Sequence, residues 1–235
     1  MDPDDFAERV SGVAALADPI RRDLYLYVAG QPEPVSRDAA SAGVGVPRPT
    51  VKFHLDKLVE QGLLATEFKR LSGRTGPGAG RPTKLYKRSA HQVSVSLPER
   101  RYDLAGQLMA RAIDDSTRDG TAVVGSLHRA AADLGVTVAQ TVRAEAGPTP
   151  TEAQVVTSMC AALAHYGYEP RRGPGIITLV NCPFDALARE HTKLVCGMNL
   201  ALLDATARHS AATLTARLDP AAGRCCVVLD TGPAA

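Results

Sequence analysis

The chain has 235 residues, 45% of them apolar, 22% charged and only 4% aromatic, with no tryptophan; this exceeds one typical compact domain and leaves core material for two. No run approaches eighteen uninterrupted apolar residues, and the start, MDPDDFAERV, is acidic, unlike a secretory leader. A membrane-spanning or exported protein is therefore not expected, and the cytoplasm is the expected compartment.

In chain order, Phe6, Val10 and Val13, with Leu16 or Ala17, mark a first amphipathic helix. Asp18-Pro19 is an N-cap followed by proline at the first helical position, and Ile20, Leu24, Tyr27 and Val28 stripe a second helix ending at Gly30. Residues 34–42 read as a short third helix with Ser36 and Asp38 near its start. Gly43-Val44-Gly45-Val46 is then a turn.

Residues 47–62, PRPTVKFHLDKLVEQG, carry the most information. Pro47 and Pro49 suit a helix start, and Val51, Leu55, Leu58 and Val59 recur at helical offsets to make one buried stripe. Gly62 suits a left-handed stop. This spacing predicts an exposed face carrying Arg48, Thr50, Lys52 and His54, with Lys57 further along. Residues 63–69 and 83–87 look like two short strands around LSGRTGPGAGRP, a glycine-rich tip flanked by Arg70, Arg74, Arg81 and Lys84.

The net charge of +2 is segregated. Residues 47–92 hold ten Lys or Arg against three Asp or Glu, net +7, so the remaining chain sums to −5. Lys and Arg concentrated in one segment gain affinity for phosphates by releasing condensed counterions. The order helix, turn, helix, basic hairpin matches a known docking geometry on double-stranded DNA. The candidate contacts are Arg48, Thr50, Lys52, His54, Lys57, Arg74, Arg81 and Lys84.

The segments ALADPIRRDLYLYV, PTVKFHLDKLVEQGLL and GRPTKLYKRS resemble the winged helix-turn-helix regulators of the ArsR/MarR-like group. The resemblance covers residues 13–88, about a third of the chain. It implies a reader helix in the major groove and a wing tip reaching phosphate or the minor groove.

Residues 91–97 alternate like a strand or an extended linker. From Pro98 onward Tyr102, Leu104, Leu108, Met109, Ala112 and Ile113 repeat at helical spacing, and residues 121–146 form a second helix with Val124, Leu127, Leu134, Val138 and Val142. The pair reads as a helical hairpin that dimerises the protein, or else packs within the chain. Gly147-Pro148-Thr149-Pro150 breaks the pattern. An α/β half follows: a helix over 151–165, strands near 168–171 and 176–181, a long helix from Pro183 to about His209, and strands near 212–218 and 225–229. The expected fold is α+β, with a winged helix-turn-helix domain in residues 1–92, a helical dimerisation linker in 93–147 and an α/β sensory domain in 148–235.

The chemistry of that half lies in cysteine. Cys160 sits in an apolar helix and reads as packing. Cys182, Cys196 and the pair Cys225-Cys226 follow the spacing C-x13-C-x28-C-C, which is not that of a zinc ribbon. Cys182, before a helix, has reason to be a thiolate. Adjacent residues of a strand face opposite ways, so only one of Cys225 and Cys226 is expected at a common site.

The string NCPFDALAREHTKLVCGMNLALLDA with GRCCVVL is similar to the sensory domain of the SufR-like repressors. That resemblance implies an iron-sulfur cluster, [4Fe-4S], on Cys182, Cys196 and Cys225. The family has a further cysteine between the second and the last, which this chain lacks. His209 in that interval is the candidate fourth ligand, His191 another, and zinc is the alternative metal. Pairing Cys182 with His191 or His209 as nucleophile and base is not supported, since nothing orients a third group or forms an oxyanion loop. The expectation is a homodimeric operator-binding regulator, acting as a repressor and not as an enzyme. An apolar small-molecule effector in place of metal is a further reading.

Overall fold

Asp18 opens the first closed core of the chain: its carboxylate accepts from the Arg21 N–H at 3.0 Å, and Pro19 begins the helix whose Leu24 and Val28 are buried. The computed structural model describes residues 3–70 and 82–231, which divide into two compact units, 3–95 and 96–231.

In the first unit, α1 (Pro3–Ala15) and α2 (Pro19–Ala29) precede β1 (Val35–Ser36), α3 (Arg37–Val44) and α4 (Arg48–Glu60). Ser36 Oγ accepts from the Ala39 N–H at 3.1 Å, and α3 ends on Gly45 at φ 72°. The expected helix over 34–42 therefore starts later: Val35 and Ser36 are extended because Val35 pairs with Tyr86 and Ser36 serves as the cap. Gly62, at φ 70°, follows α4 as expected. Strands β2 (Leu64–Lys69) and β3 (Thr83–Arg88) run antiparallel, Leu64 opposite Arg88 and Lys69 opposite Thr83, in a sheet ordered β1-β3-β2. Val51, Leu55 and Leu58 of α4 are fully buried with Leu24, Ala40 and Tyr86.

The second unit begins without a strand in residues 91–97. Its elements are α5 (Tyr102–Asp119), α6 (Val123–Ala146), α7 (Glu152–His165), β4 (Pro170–Gly173), β5 (Ile176–Leu179), α8 (Asp185–Glu190), α9 (Thr192–Ser210), β6 (Thr215–Leu218) and β7 (Val227–Asp230). The sheet is antiparallel throughout, in the order β4-β5-β7-β6. The expected long helix from Pro183 to His209 is broken at His191, whose φ −125° and ψ 49° leave the helical region. The Thr192 hydroxyl takes the Ala188 carbonyl at 2.7 Å, a local bond that competes with the helical ladder.

Helices α5 and α6 share one hydrophobic cluster with α7, α9 and the sheet, from Leu104 through Val138 and Met159 to Leu229. Residues 93–147 are thus not a separate core. The buried residues of α6 include the small Ala130, Ala131, Gly135 and Ala139 beside Leu127, Val138 and Val142, and α9 lies close against the helix. A Cβ on Gly135 would stand 2.3 Å from the Leu202 carbonyl oxygen of α9.

Replacing glycine by alanine within a helix ordinarily stabilises by about 0.4–1 kcal/mol. Gly135→Ala is expected to do the opposite and cost about 1–3 kcal/mol, because the helices must separate. Gly125→Ala, whose Cβ would meet only Thr121 Cγ2 at 3.8 Å, should be neutral or stabilising. Urea unfolding followed by circular dichroism distinguishes the two; equal effects would mean that the close approach is not what fixes Gly135.

Candidate functional site

Two constellations stand out, one in each unit. In the first, the burial of Val51, Leu55 and Leu58 turns Arg48, Lys52 and Phe53 of α4 outward, with Thr50 half-buried. His54 departs from expectation. It is 8% exposed and faces the core, lying near the Asp18 carboxylate, so it supports α4 from behind and does not belong to the exposed face. The helical period explains this, since residue 54 falls between 51 and 58 on the buried stripe. Phe53, unremarked in the sequence, takes the outward position.

Several of the cations already have carboxylate partners. Arg48 pairs with Asp38, Lys57 with Glu60 at 3.0 Å, and Lys84 with Asp56 at 2.7 Å. Asp56 also accepts from the Tyr86 hydroxyl at 3.0 Å, bolting α4 to β3. Burial alone would raise the Asp56 pKa, but the Lys84 ammonium and the Tyr86 hydroxyl outweigh it and hold the carboxyl below its ordinary value. Where α3, α4 and the strands meet, Arg37, Arg48 and Lys84 border a shallow hollow with Asp38 and Phe68. Arg74 and Arg81 lie outside the described residues.

In the second unit, four of the five cysteines are neighbours. Cys182 Sγ is within hydrogen-bonding reach of Cys225, Cys225 of Cys226, and Cys226 of Cys196. Cys225 and Cys226 precede β7 in irregular chain, so strand alternation does not separate them. Their backbone is anchored on both sides, Cys225 N–H to Leu179 O and Asp219 N–H to Cys226 O, each at 2.8 Å. Cys226 is therefore the member that the sequence reading missed. His209 does not join: its Nδ1 lies 2.8 Å from Ala205 O, thirteen residues beyond Cys196 and about 20 Å further along α9. His191 is exposed at the break between α8 and α9, and Cys160 is half-buried on α7.

A supporting network orients the sulfurs. Asn199, one turn after Cys196, donates from Nδ2 to Cys225 Sγ at 3.2 Å and accepts from the buried Tyr168 hydroxyl. Tyr168 packs edge-on against Phe184. The expected thiolate at Cys182 is not found. Its hydrogen bond to Cys225, and then burial, hold it far above the usual thiol range, and the Phe184 N–H does not offset them. For Cys225 the Cys182 thiol acts to lower the pKa, but the Cys226 thiol and burial prevail and push it to about 11. Burial raises Cys196 as well. A thiol so protonated is a poor nucleophile. Among the described residues, no three His, Cys, Asp or Glu side chains converge on a point that would hold one metal ion as they stand. The sulfurs form a chain of contacts, not a closed cage.

The loop bearing Cys182 is bonded to residues 99–102, which begin the second unit. Asn181 Nδ2 donates to Glu99 O at 2.9 Å; Arg100 donates to Asn181 Oδ1 and, at 3.1 Å, to Cys182 O. The Arg101 N–H donates to Pro183 O at 3.0 Å, and Arg100 lies 3.7 Å from the Asp185 carboxylate.

Residues 16–67 match a family described as a helix-turn-helix domain. The matched segment takes in α2, α3, α4 and the start of β2, and β3 completes the wing. Together these define the class: a helix-turn-helix domain completed by a wing, the fold of a DNA-binding transcriptional regulator. No curated protein and no solved structure matches the chain. Among the described residues no helix is long and apolar enough to cross a membrane.

Two outcomes follow from the titrating groups. The lowered Asp56 pKa contributes stability above the ordinary carboxylate pKa of about 3.9, and that contribution is lost as pH falls through the folded value. Asp56→Asn should cost about 0.2–1 kcal/mol at pH 7, the range for a solvent-screened pair, and nothing near pH 2; equal losses at both pH values in urea titrations would remove the ion-pair account. In metal-free native protein at pH 8, iodoacetamide should label Cys182 and Cys225 at least tenfold more slowly than in denaturant, read by peptide mass spectrometry. Equal rates would show that these thiols are not held protonated.

Proposed function

We propose that the protein is a homodimeric repressor whose affinity for a double-stranded operator is set by the state of Cys182, Cys196, Cys225 and Cys226. The observation that carries the reading is the gathering of four sulfurs from three separate segments onto a loop bonded to residues 99–102. An all-sulfur donor set suits an iron-sulfur cluster or zinc. The likeness to SufR-like repressors favours [4Fe-4S], with Cys226 in place of the absent family cysteine and of His209. Such a group, when bound, supplies the positive charge that keeps sulfur as thiolate.

What the chain itself contributes is leverage. With protons on Cys182 and Cys225, the Cys182 loop is held by Asn181, Arg100 and Arg101. With thiolates there, the carbonyl of Cys182 and the carboxylate of Asp185 face a different local charge, and Arg100 is the residue that answers it. Arg100 stands five residues after Val95, the last of the DNA-binding unit. Tyr102 and Ile113 on α5, with Val123 and Val124 at the start of α6, are exposed apolar side chains and support pairing of two copies there.

The test is anaerobic purification with an absorption spectrum and iron, sulfide and zinc analysis, followed by operator titrations of loaded and emptied protein at one fixed salt concentration. At least a tenfold difference in affinity is expected between the two forms, and Arg100→Ala should shrink it while leaving metal content unchanged. Equal affinities would remove cysteine control. Stoichiometric zinc without sulfide would replace the cluster by zinc. Sedimentation of the same samples as monomers would remove the dimer.

A further inference from the structure

We infer that Phe53 reads thymine: its ring contacts the C5-methyl of a thymine in each operator half-site and is a specificity determinant of this regulator. This deepens the DNA-binding assignment and rests on it, but not on the cysteine site.

On α4 the buried residues Val51, Leu55 and Leu58 fix the inward direction, and at 100° per residue Phe53 points almost directly away from it. Phe53 is 67% exposed, so nearly the whole phenyl face is left to solvent. Among the described residues its aromatic neighbour is His54, edge-on at 5.2 Å. A large apolar side chain in that place contributes nothing to the core, whose α4 positions are already filled.

The surrounding charge selects the partner. Lys57 lies one turn on from Phe53; Asp56 and Glu60 share that side of α4, each engaged by a lysine, Lys84 and Lys57, and the wider segment of residues 47–92 has a net charge of +7. The excess of Lys and Arg over the whole segment draws it to a groove walled by phosphates, and the residue of α4 pointing directly away from the core is then the one turned to the groove floor. On the floor of the major groove almost every feature is a hydrogen-bond donor or acceptor, which phenyl cannot address. The exception is the thymine methyl, the one apolar group displayed there. The asymmetry of chemistry leaves a single base as the favoured occupant.

The experiment uses the full-length protein and a pool of random-sequence duplexes, from which the preferred site is selected at fixed salt. Each thymine of that site is then replaced in turn by deoxyuridine, which removes only the methyl. Wild-type protein is expected to lose about 3- to 10-fold in affinity at one thymine per half-site, the scale of one buried methyl group. Phe53→Ala should lose a similar factor on the thymine site and be indifferent to deoxyuridine there, while its affinity for unselected DNA is unchanged. Phe53 is exposed, so the variant is expected to fold as the wild type does; matching thermal melts check this. If Phe53→Ala keeps the same deoxyuridine sensitivity, or selects the same site with undiminished affinity, the assignment of Phe53 is overturned and the DNA-binding reading stands. If wild-type protein selects no sequence and binds no duplex, both fall together. If Phe53→Ala instead abolishes dimerisation with no effect on sequence preference, Phe53 belongs to a protein interface and the inference is again overturned.

Discussion

The approach of α6 to α9 is the constraint on which the second unit depends. Gly135 leaves room for the Leu202 carbonyl, and one turn beyond Cys196 the side chain of Asn199 is buried at the same helix's inner face. Gly197, beside Cys196, lies against the His128 imidazole of α6, where a Cβ would come within 2.9 Å of Nε2. At Gly135 and Gly197 the two helices come close enough that a Cβ on either glycine would force them apart, which fixes the depth at which α9 and its Cys196 sit. A chain with so few aromatic residues has few other ways to fix a helix: small side chains gain contact area by bringing backbones together.

The cysteine site is a case of neighbouring groups controlling one another. Cys182, Cys196 and Cys225 are all raised, by burial and by the charge each would place beside another, so their ionisation is mutually opposed. Asn199 uses both ends of its amide, one toward Cys225 and one toward Tyr168, so its orientation is fixed and the sulfur it serves is fixed with it. The same amide chemistry recurs at Asn181, whose nitrogen and oxygen engage Glu99 and Arg100. Two asparagines thus tie the sulfur-bearing segments to α9 and to the start of the second unit.

Much of the first unit was legible because its signals are local. Asp18-Pro19, Ser36, Gly45 and Gly62 mark ends by their own conformational preferences, and the apolar period of α4 gives its inner face. The misreading of His54 came from treating a polar side chain as exposed when its place in the period put it inside. The second unit was harder for a different reason. Cys225 and Cys226 were taken as strand residues, and only the pairing of β6 with β7, Leu218 opposite Val227, shows that the strand starts at Val227. The break at His191 has no glycine or proline to announce it, and the Arg100 contacts span more than eighty positions, a separation no local pattern encodes. The shared core of α5, α6 and the sheet was also beyond periodicity, which tells which face of a helix is apolar but not what covers it.

The outward residues of α4 have a consequence for how such a protein changes over generations. Arg48, Lys52 and Phe53 are exposed and add no buried contact to the core formed by Val51, Leu55 and Leu58. Substitutions at exposed positions away from caps and cores are usually close to neutral for stability. The outward face of α4 can therefore change with little penalty to folding, while His54, turned inward beside it, is tied to the fold. The two sides of one helix thus stand under different constraints, one set by packing and the other free of it.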